Sequence, residues 1–150
     1  MMVSIVVPVA KEGSELYDRI LSLHREFGVL AAVNGFSFEI LLVSDVFHVP
    51  TIKAMMRLAK QGIAKCLLLT RRIGKGGSIK NAIPHTNGDY IVLLDADIPV
   101  NPVTIYRAVL LARKLGIDLV IANRVYRTHT LLRRVLSTAY NTLVNLFFRT

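Results

Sequence analysis

The sequence predicts an α/β fold: a mainly parallel sheet with helices on both faces, plus an amphipathic helix at the C-terminal end. Three observations predict it. Five short runs rich in Val, Ile and Leu recur along the 150 residues. Each run is nearly continuous rather than alternating, as strands covered on both sides are. Segments with helical spacing lie between them, so strand and helix alternate.

The first run, "VSIVVPV" near residue 3, leads to "SELYDRILSLHREF". There Leu16, Ile20, Leu23 and Phe27 form one apolar stripe, and Ser14 stands at the N-cap position. "FEILLVS" near residue 38 is the second strand; "PTIKAMMRLAKQG" after it stops at Gly62, a natural left-handed end. "KCLLLT" near residue 65 is the third, followed by the glycine turn of "TRRIGKGGSIKNA" and what looks like a helix start. "YIVLLDA" near residue 90 is the fourth. Asn101, Pro102 in the first turn and Gly116 after the last then frame the helix "NPVTIYRAVLLARKLG". "DLVIAN" near residue 118 is the fifth expected strand. The end, "TLLRRVLSTAYNTLVNLFFRT", has helical spacing with a broad apolar stripe and no strand behind it. The expected division is therefore 1–126 for the α/β domain and 127–150 for the helix.

Composition narrows the class. At 53% hydrophobic with no Trp, the chain is an ordered globular one with enough residues for a single real core. Cys66 is the single cysteine, so an internal disulfide is excluded and a reducing compartment is expected. The first apolar stretch has no basic region ahead of it, so no signal peptide is expected. The longest uncharged runs fall short of the roughly 20 residues of a membrane span.

Net charge is +9, and it is uneven. Between Val46 and Gly88 there are eight Lys or Arg and no acid; after Asp118 there are five Arg and no acid. Such a surface attracts phosphate, whether of nucleotides, nucleic acids or anionic lipid headgroups.

Ligands of parallel sheets bind beyond the carboxyl ends of the strands, so the residues just after each strand carry the chemistry. Asp95 and Asp97 follow the fourth strand. In an extended segment they point the same way, with small Ala96 between them. Two hard oxygen donors suit Mg²⁺ or Mn²⁺, although a turn start at Asp97 explains an isolated D-x-D as well. The glycine turn around Lys75 can hold an anion through backbone N–H groups, with Lys75 adding charge. It is no Walker A loop, since no Gly stands five residues before Gly74, and Ile79 breaks the dinucleotide fingerprint. Glu12 and Asp45 follow the first two strands, where each fits a base or ribose contact or a plain helix cap. Arg124 follows the fifth run. Arg133 and Ser137 sit at i and i+4, on one helical face, where they fit a phosphate or a solvated surface.

In order, "VSIVVPVAKE", "FEILLVSD", "RRIGKGGSIKNA", "GDYIVLLDAD", "DLVIANRV" and "LLRRVLSTAYNTLV" span almost the whole chain. Together they resemble the family 2 glycosyltransferases with the Rossmann-like GT-A fold, particularly the polyprenyl-phosphate (dolichol-phosphate) mannosyl- and glucosyltransferases. The resemblance implies that Pro8, Ala10, Glu12, Asp45, Lys75, Gly76, Asp95 and Ala96 meet the nucleotide sugar. Asp95 and Asp97 would hold Mg²⁺ or Mn²⁺ and, with Arg124, carry catalysis. Arg124, Arg133 and Ser137 would meet phosphates of donor or acceptor. The chain departs from the family pattern in three places. Ala10 stands where a Tyr is expected beside the base, Ser44 replaces an Asp, and Pro99 and Val100 replace the Gln and His of mannosyltransferases.

The resulting expectation is a metal-dependent, inverting transfer of a sugar from a nucleotide diphosphate sugar to a polyprenyl phosphate. That acceptor is already anionic and needs no general base. The expected location is cytoplasmic, extending to a peripheral position at an anionic membrane surface; the terminal helix meets that surface, the core, or a second copy in a homodimer. Thr150 falls before the segment that in this family closes over the acceptor. A catalytically silent binding domain or truncated core therefore stays open as the alternative. A basic nucleic-acid-binding domain ranks below both, for want of an aromatic-interleaved basic strand or recognition helix.

Overall fold

The computed structural model describes residues 1–122. Its elements run β1 (Met2–Val9), α1 (Glu15–Asn34), β2 (Ser37–Ser44), α2 (Val49–Lys60), β3 (Lys65–Leu68), α3 (Gly74–Ala82), a 3₁₀ turn (Ile83–His85), β4 (Tyr90–Leu93) and α4 (Pro102–Leu115). The four strands form one parallel sheet in the order β3-β2-β1-β4.

The two faces of the sheet follow from the period of two along a strand. Val3, Ile5, Val7 and Val9 of β1 and Ile40 and Leu42 of β2 face a core with α1, α2 and α4. Leu16, Ile20, Leu23 and Phe27, the stripe expected for the first helix, are all buried there, with Met55 and Leu58 of α2 and Ile105 and Val109 of α4. The alternate residues Val6, Leu41 and Val43 meet Ala82 of α3 on the other face. Helices therefore do cover both faces. A continuous apolar run is fully used only in the central strands. β3 and β4 border the sheet among the described residues and are only part buried.

The signals that bound α4 and end α2 behave as their chemistry requires, and the one expected to start α1 does not. Asn101 caps α4 by accepting from Val103 N at 2.8 Å, and Gly116 ends it at φ 62°. Gly62 likewise follows α2 at φ 70°. Ser14 precedes α1, yet its hydroxyl makes no cap bond.

Two expectations are corrected. The run starting at Asp118 forms no strand among the described residues. It leaves Gly116 in irregular backbone, and Leu119 is 73% exposed rather than laid on a sheet edge. The glycine turn is itself helix: α3 starts at Gly74 and takes Lys75, Gly76 and Gly77 into its first turn. The 126/127 division and the helix expected over 127–150 lie outside the described residues.

Candidate functional site

β1 has β2 on one side and β4 on the other, with α1 and α3 leaving to opposite faces. The chain order reverses here, and a crevice opens at the carboxyl ends of the strands. A cleft of about 440 Å³ occupies it, lined by residues that follow β1, β2 and β4 and by the start of α3.

The end of β1 contributes Pro8 to the lining, and the loop after it Ala10 and Glu12. Glu12 is turned back on its own loop, its Oε2 accepting from Ala10 N at 2.6 Å. The loop is tied to α2 through fully buried Thr51, whose Oγ1 accepts from Gly13 N at 3.0 Å and lies 2.8 Å from His48 Nδ1. After β2 comes Asp45. Its Oδ2 accepts from Ile73 N at 2.8 Å and Gly74 N at 2.6 Å. One carboxylate oxygen thus satisfies two N–H groups at the start of α3, where helix ends leave donors unpaired. Gly74 sits at φ +77°, a conformation that favours glycine, and this turn aims the next side chain, Lys75, into the cleft.

The segment after β4 is a turn rather than an extended strand, with Ile98 N donating to Asp95 O at 2.9 Å. Asp95 and Asp97 are nevertheless both exposed and both line the cleft, on either side of buried Ala96. Ile98 closes the turn at φ 46°. A β-branched residue in the left-handed region costs on the order of 1–3 kcal/mol, and such strain gathers at functional sites. Lys75 Nζ is paired with Asp95 Oδ1 across the cleft.

Nearly all the expected site residues described here converge: Pro8, Ala10, Glu12, Asp45, Lys75, Asp95, Ala96 and Asp97 share one cleft. Gly76 does not. The helix that starts at Gly74 carries it out of the lining, where it is exposed with nothing within 4 Å of a Cβ position. Arg124, Arg133 and Ser137 lie outside the described residues. Arg19, Arg72 and Ser78 join the lining without having been expected. Arg72 stands in the quoted glycine segment, and its basic neighbours were its only signal. Arg19 lies in α1, ion-paired to Glu15 at 2.5 Å, and no local pattern marks it. Ser44 is 2% exposed, its hydroxyl donating to Val46 O at 3.1 Å, so it braces the turn before Asp45 rather than lining the cleft.

The carboxylates are suited to a hard divalent cation, because both are exposed oxygen donors that share one cavity. Among the described residues no third His, Cys, Asp or Glu joins them as a metal-binding group. Pro99, next in line, is exposed and absent from the lining. Such a cation would take its other ligands from water or from phosphate oxygens. No described helix is long and apolar enough to cross a membrane.

Residues 4–150 match the family model described as glycosyl transferase family 2. The undecaprenyl-phosphate 4-deoxy-4-formamido-L-arabinose transferase of Klebsiella pneumoniae is 31% identical over 144 residues, covering 95% of this chain and 42% of the relative. The enzyme of the same name from Salmonella paratyphi B matches with the same figures. The chain thus spans well under half the length of the curated relatives it matches. Among solved structures, a mannosyltransferase from Pyrobaculum calidifontis in complex with GDP-Man and Mn²⁺ superimposes with a TM-score of 0.57 at 24% identity, covering 73% of this chain and 32% of that one. S. aureus TarS 1–349 gives a TM-score of 0.57 at 17% identity, covering 87% and 40%. At these identities the two structures speak for the fold.

Proposed function

The chain belongs to glycosyl transferase family 2, and from that premise we propose that its cleft binds a nucleotide diphosphate sugar and takes part in transfer of the sugar to a polyprenyl phosphate. One observation carries this reading. Two carboxylates, Asp95 and Asp97, share a cleft with the cations Arg72 and Lys75 at the switch point of a parallel sheet. A diphosphate needs cationic partners, and a metal-bound one also needs hard anionic donors. Relatives named for transfer to undecaprenyl phosphate, and a neighbour of like fold with GDP-Man and Mn²⁺, support the substrate classes.

In this mechanism Asp95 and Asp97 would hold Mg²⁺ or Mn²⁺. The ion, when bound, supplies Lewis-acid stabilisation of the charge that builds on the leaving diphosphate. Lys75 and Arg72 add positive charge to the cleft lining and stabilise that charge further. Asp45 holds the first turn of α3 in place, so Lys75 is positioned before substrate arrives. Pro8 and Ala10 form the wall along β1, with Glu12 beside them as acceptor for base or ribose. Arg124, Arg133 and Ser137 would complete the phosphate contacts. The acceptor's phosphate oxygen attacks the anomeric carbon as the bond to the diphosphate breaks, which inverts the configuration there. It carries no proton to remove, which suits a cleft whose described lining holds no histidine.

The test is titration calorimetry with GDP and UDP, with and without Mn²⁺, followed by transfer from a panel of nucleotide sugars to a short polyprenyl phosphate. Metal-dependent binding that Asp97→Asn abolishes is the expected result. Equal binding in excess EDTA would remove the metal role. Binding without turnover would mark a silent binding domain.

A further inference from the structure

We infer that the outward face of α2, with the Phe47 tip ahead of it, is a docking surface for an anionic membrane. Val49, Lys53, Met56 and Lys60 stand at i, i+4, i+7 and i+11, so they form one stripe along the helix. All four are exposed, while Thr51, Ile52, Met55 and Leu58 turn inward to the core. The stripe thus alternates apolar and cationic side chains. Its apolar members are open to solvent: Val49 is 49% exposed, Met56 64%, and Phe47 at the tip 84%.

Charge decides what kind of partner fits. α2 holds no acidic residue, and neither does the whole stretch from Val46 to Gly88. A partner must therefore be anionic, and it must also accept a bare phenyl ring and a thioether. A lipid headgroup layer offers both, since apolar tips enter the acyl boundary while Lys stems reach back to lipid phosphates. A second feature lies beside the stripe. A cavity of about 380 Å³ between α1 and α2 is lined by Ser14, Tyr17, Val49, Pro50, Lys53, Ala54 and Arg57. The Arg57 guanidinium stacks over the Tyr17 ring at 3.9 Å, and Tyr17 Oη donates to Gln61 Oε1 at 2.8 Å. The stack fixes a cation at the wall of this largely apolar hollow, a fit for one headgroup phosphate.

Position makes the surface useful. Val46 lines the catalytic-side cleft and Val49 the second cavity, so the exposed Phe47 stands on the short link between them. A membrane seated on this link would bring its headgroup layer to the rim of the cleft. The docking surface itself does not depend on what the cleft binds.

The chain has no Trp, so Phe47→Trp places a single local reporter at the tip. Vesicles of phosphatidylglycerol and phosphatidylcholine should shift its emission to the blue and expose it to quenching by brominated lipid chains. Vesicles of phosphatidylcholine alone should do neither. Adding Lys53→Ala and Lys60→Ala should lower partitioning about twenty-five-fold, from roughly five-fold per cation at an anionic surface, and added salt should weaken it in the same direction. Emission that anionic vesicles leave unchanged would overturn the inference, even if the chain sediments with them through another part or an oligonucleotide shifts the signal. Partitioning untouched by the double lysine substitution would overturn it too. Calorimetry of the same Trp variant with GDP or UDP keeps the two readings separable, because a failure there leaves the vesicle result standing.

Discussion

Lys75 Nζ donates to Asp95 Oδ1 across the mouth of the cleft, so a cation of the protein's own occupies one of the two carboxylates proposed to hold a metal. Both side chains are more than half exposed, which makes the pair exchangeable rather than locked. Removing the lysine should therefore act in opposite directions on two ligands. Lys75→Met should tighten nucleotide-free Mn²⁺ binding, read by electron paramagnetic resonance of the free ion, because Asp95 loses its competitor. The same substitution should weaken GDP or UDP binding by roughly ten- to a hundred-fold, the worth of one charge-assisted hydrogen bond of about 1.5–3 kcal/mol. A loss of both affinities would make Lys75 a structural strut.

Asp45 is expected to act on the nucleotide through α3. Asp45→Ala leaves the N–H groups of Ile73 and Gly74 without their shared acceptor. Loss of such a cap costs about 0.5–2 kcal/mol, so thermal unfolding should shift modestly downward. Nucleotide affinity should fall as well, since Lys75 sits one residue beyond the freed turn. Asp45→Asn retains an acceptor oxygen and should recover much of the stability. Direct contact between Asp45 and the base would instead make Asn change base preference while stability stays level.

How much of this was legible in the sequence depends on how far apart the cooperating residues lie. Asn101, Pro102 and Gly116 delimit α4 by chemistry within a few positions, and Leu16, Ile20, Leu23 and Phe27 repeat with the helix period. The succession of the first four strands along the chain follows from the same short-range signals. Glu12, Asp45, Lys75, Asp95 and Asp97 are marked by their places after strands, whereas Pro8, Ala10 and Ala96 are implied only by the family resemblance. α3 could not be recognised as starting at Gly74, because three glycines in one turn each oppose helix by about 1 kcal/mol. Its start is set by Asp45, 28 residues away in sequence from Ile73. Arg19 is hidden for the same reason, its place in the cleft being visible only once α1 is packed on the sheet. The fifth apolar run shows the converse: composition suits Leu119 to a strand, yet it is 73% exposed and joins neither border strand among the described residues.

Gly88 should tolerate no side chain. It precedes β4 and passes so close to β1 that a Cβ would lie 2.5 Å from Ser4 N and 2.6 Å from Ser4 Oγ. Its own N–H donates to that hydroxyl at 2.8 Å. Gly88→Ala must therefore push two parallel strands apart or break the bond, a cost of about 1–3 kcal/mol or more by analogy with overpacked cores. Chemical denaturation should show the loss, and Ser4→Gly in the Gly88→Ala background should recover little, because the backbone nitrogen remains in the way.

Glu39 should carry much of the chain's acid sensitivity. Its side chain is only 9% exposed and gathers partners from two strands and a loop: Lys65 Nζ at 2.6 Å, Ser4 Oγ at 2.6 Å and Asn87 N at 2.6 Å. Burial by itself pushes the carboxyl up, but the hydrogen bonds from Lys65, Ser4 and Asn87 and the lysine charge outweigh it. The group is held down at about 2, against an ordinary value of 4.5. A carboxyl depressed on folding stabilises the native state at any pH above its unfolded value, and that contribution fades as pH falls from about 4.5 through about 2. The full contribution is on the order of 2–3 kcal/mol, since a ten-fold change in proton affinity is worth about 1.4 kcal/mol and the unfolded chain is not free of partners. Glu39→Gln should therefore lower stability at neutral pH and flatten the acid limb between about 4.5 and 2. Urea unfolding at a series of pH values measures both effects. An acid limb of unchanged slope in Glu39→Gln would assign the sensitivity to other carboxylates.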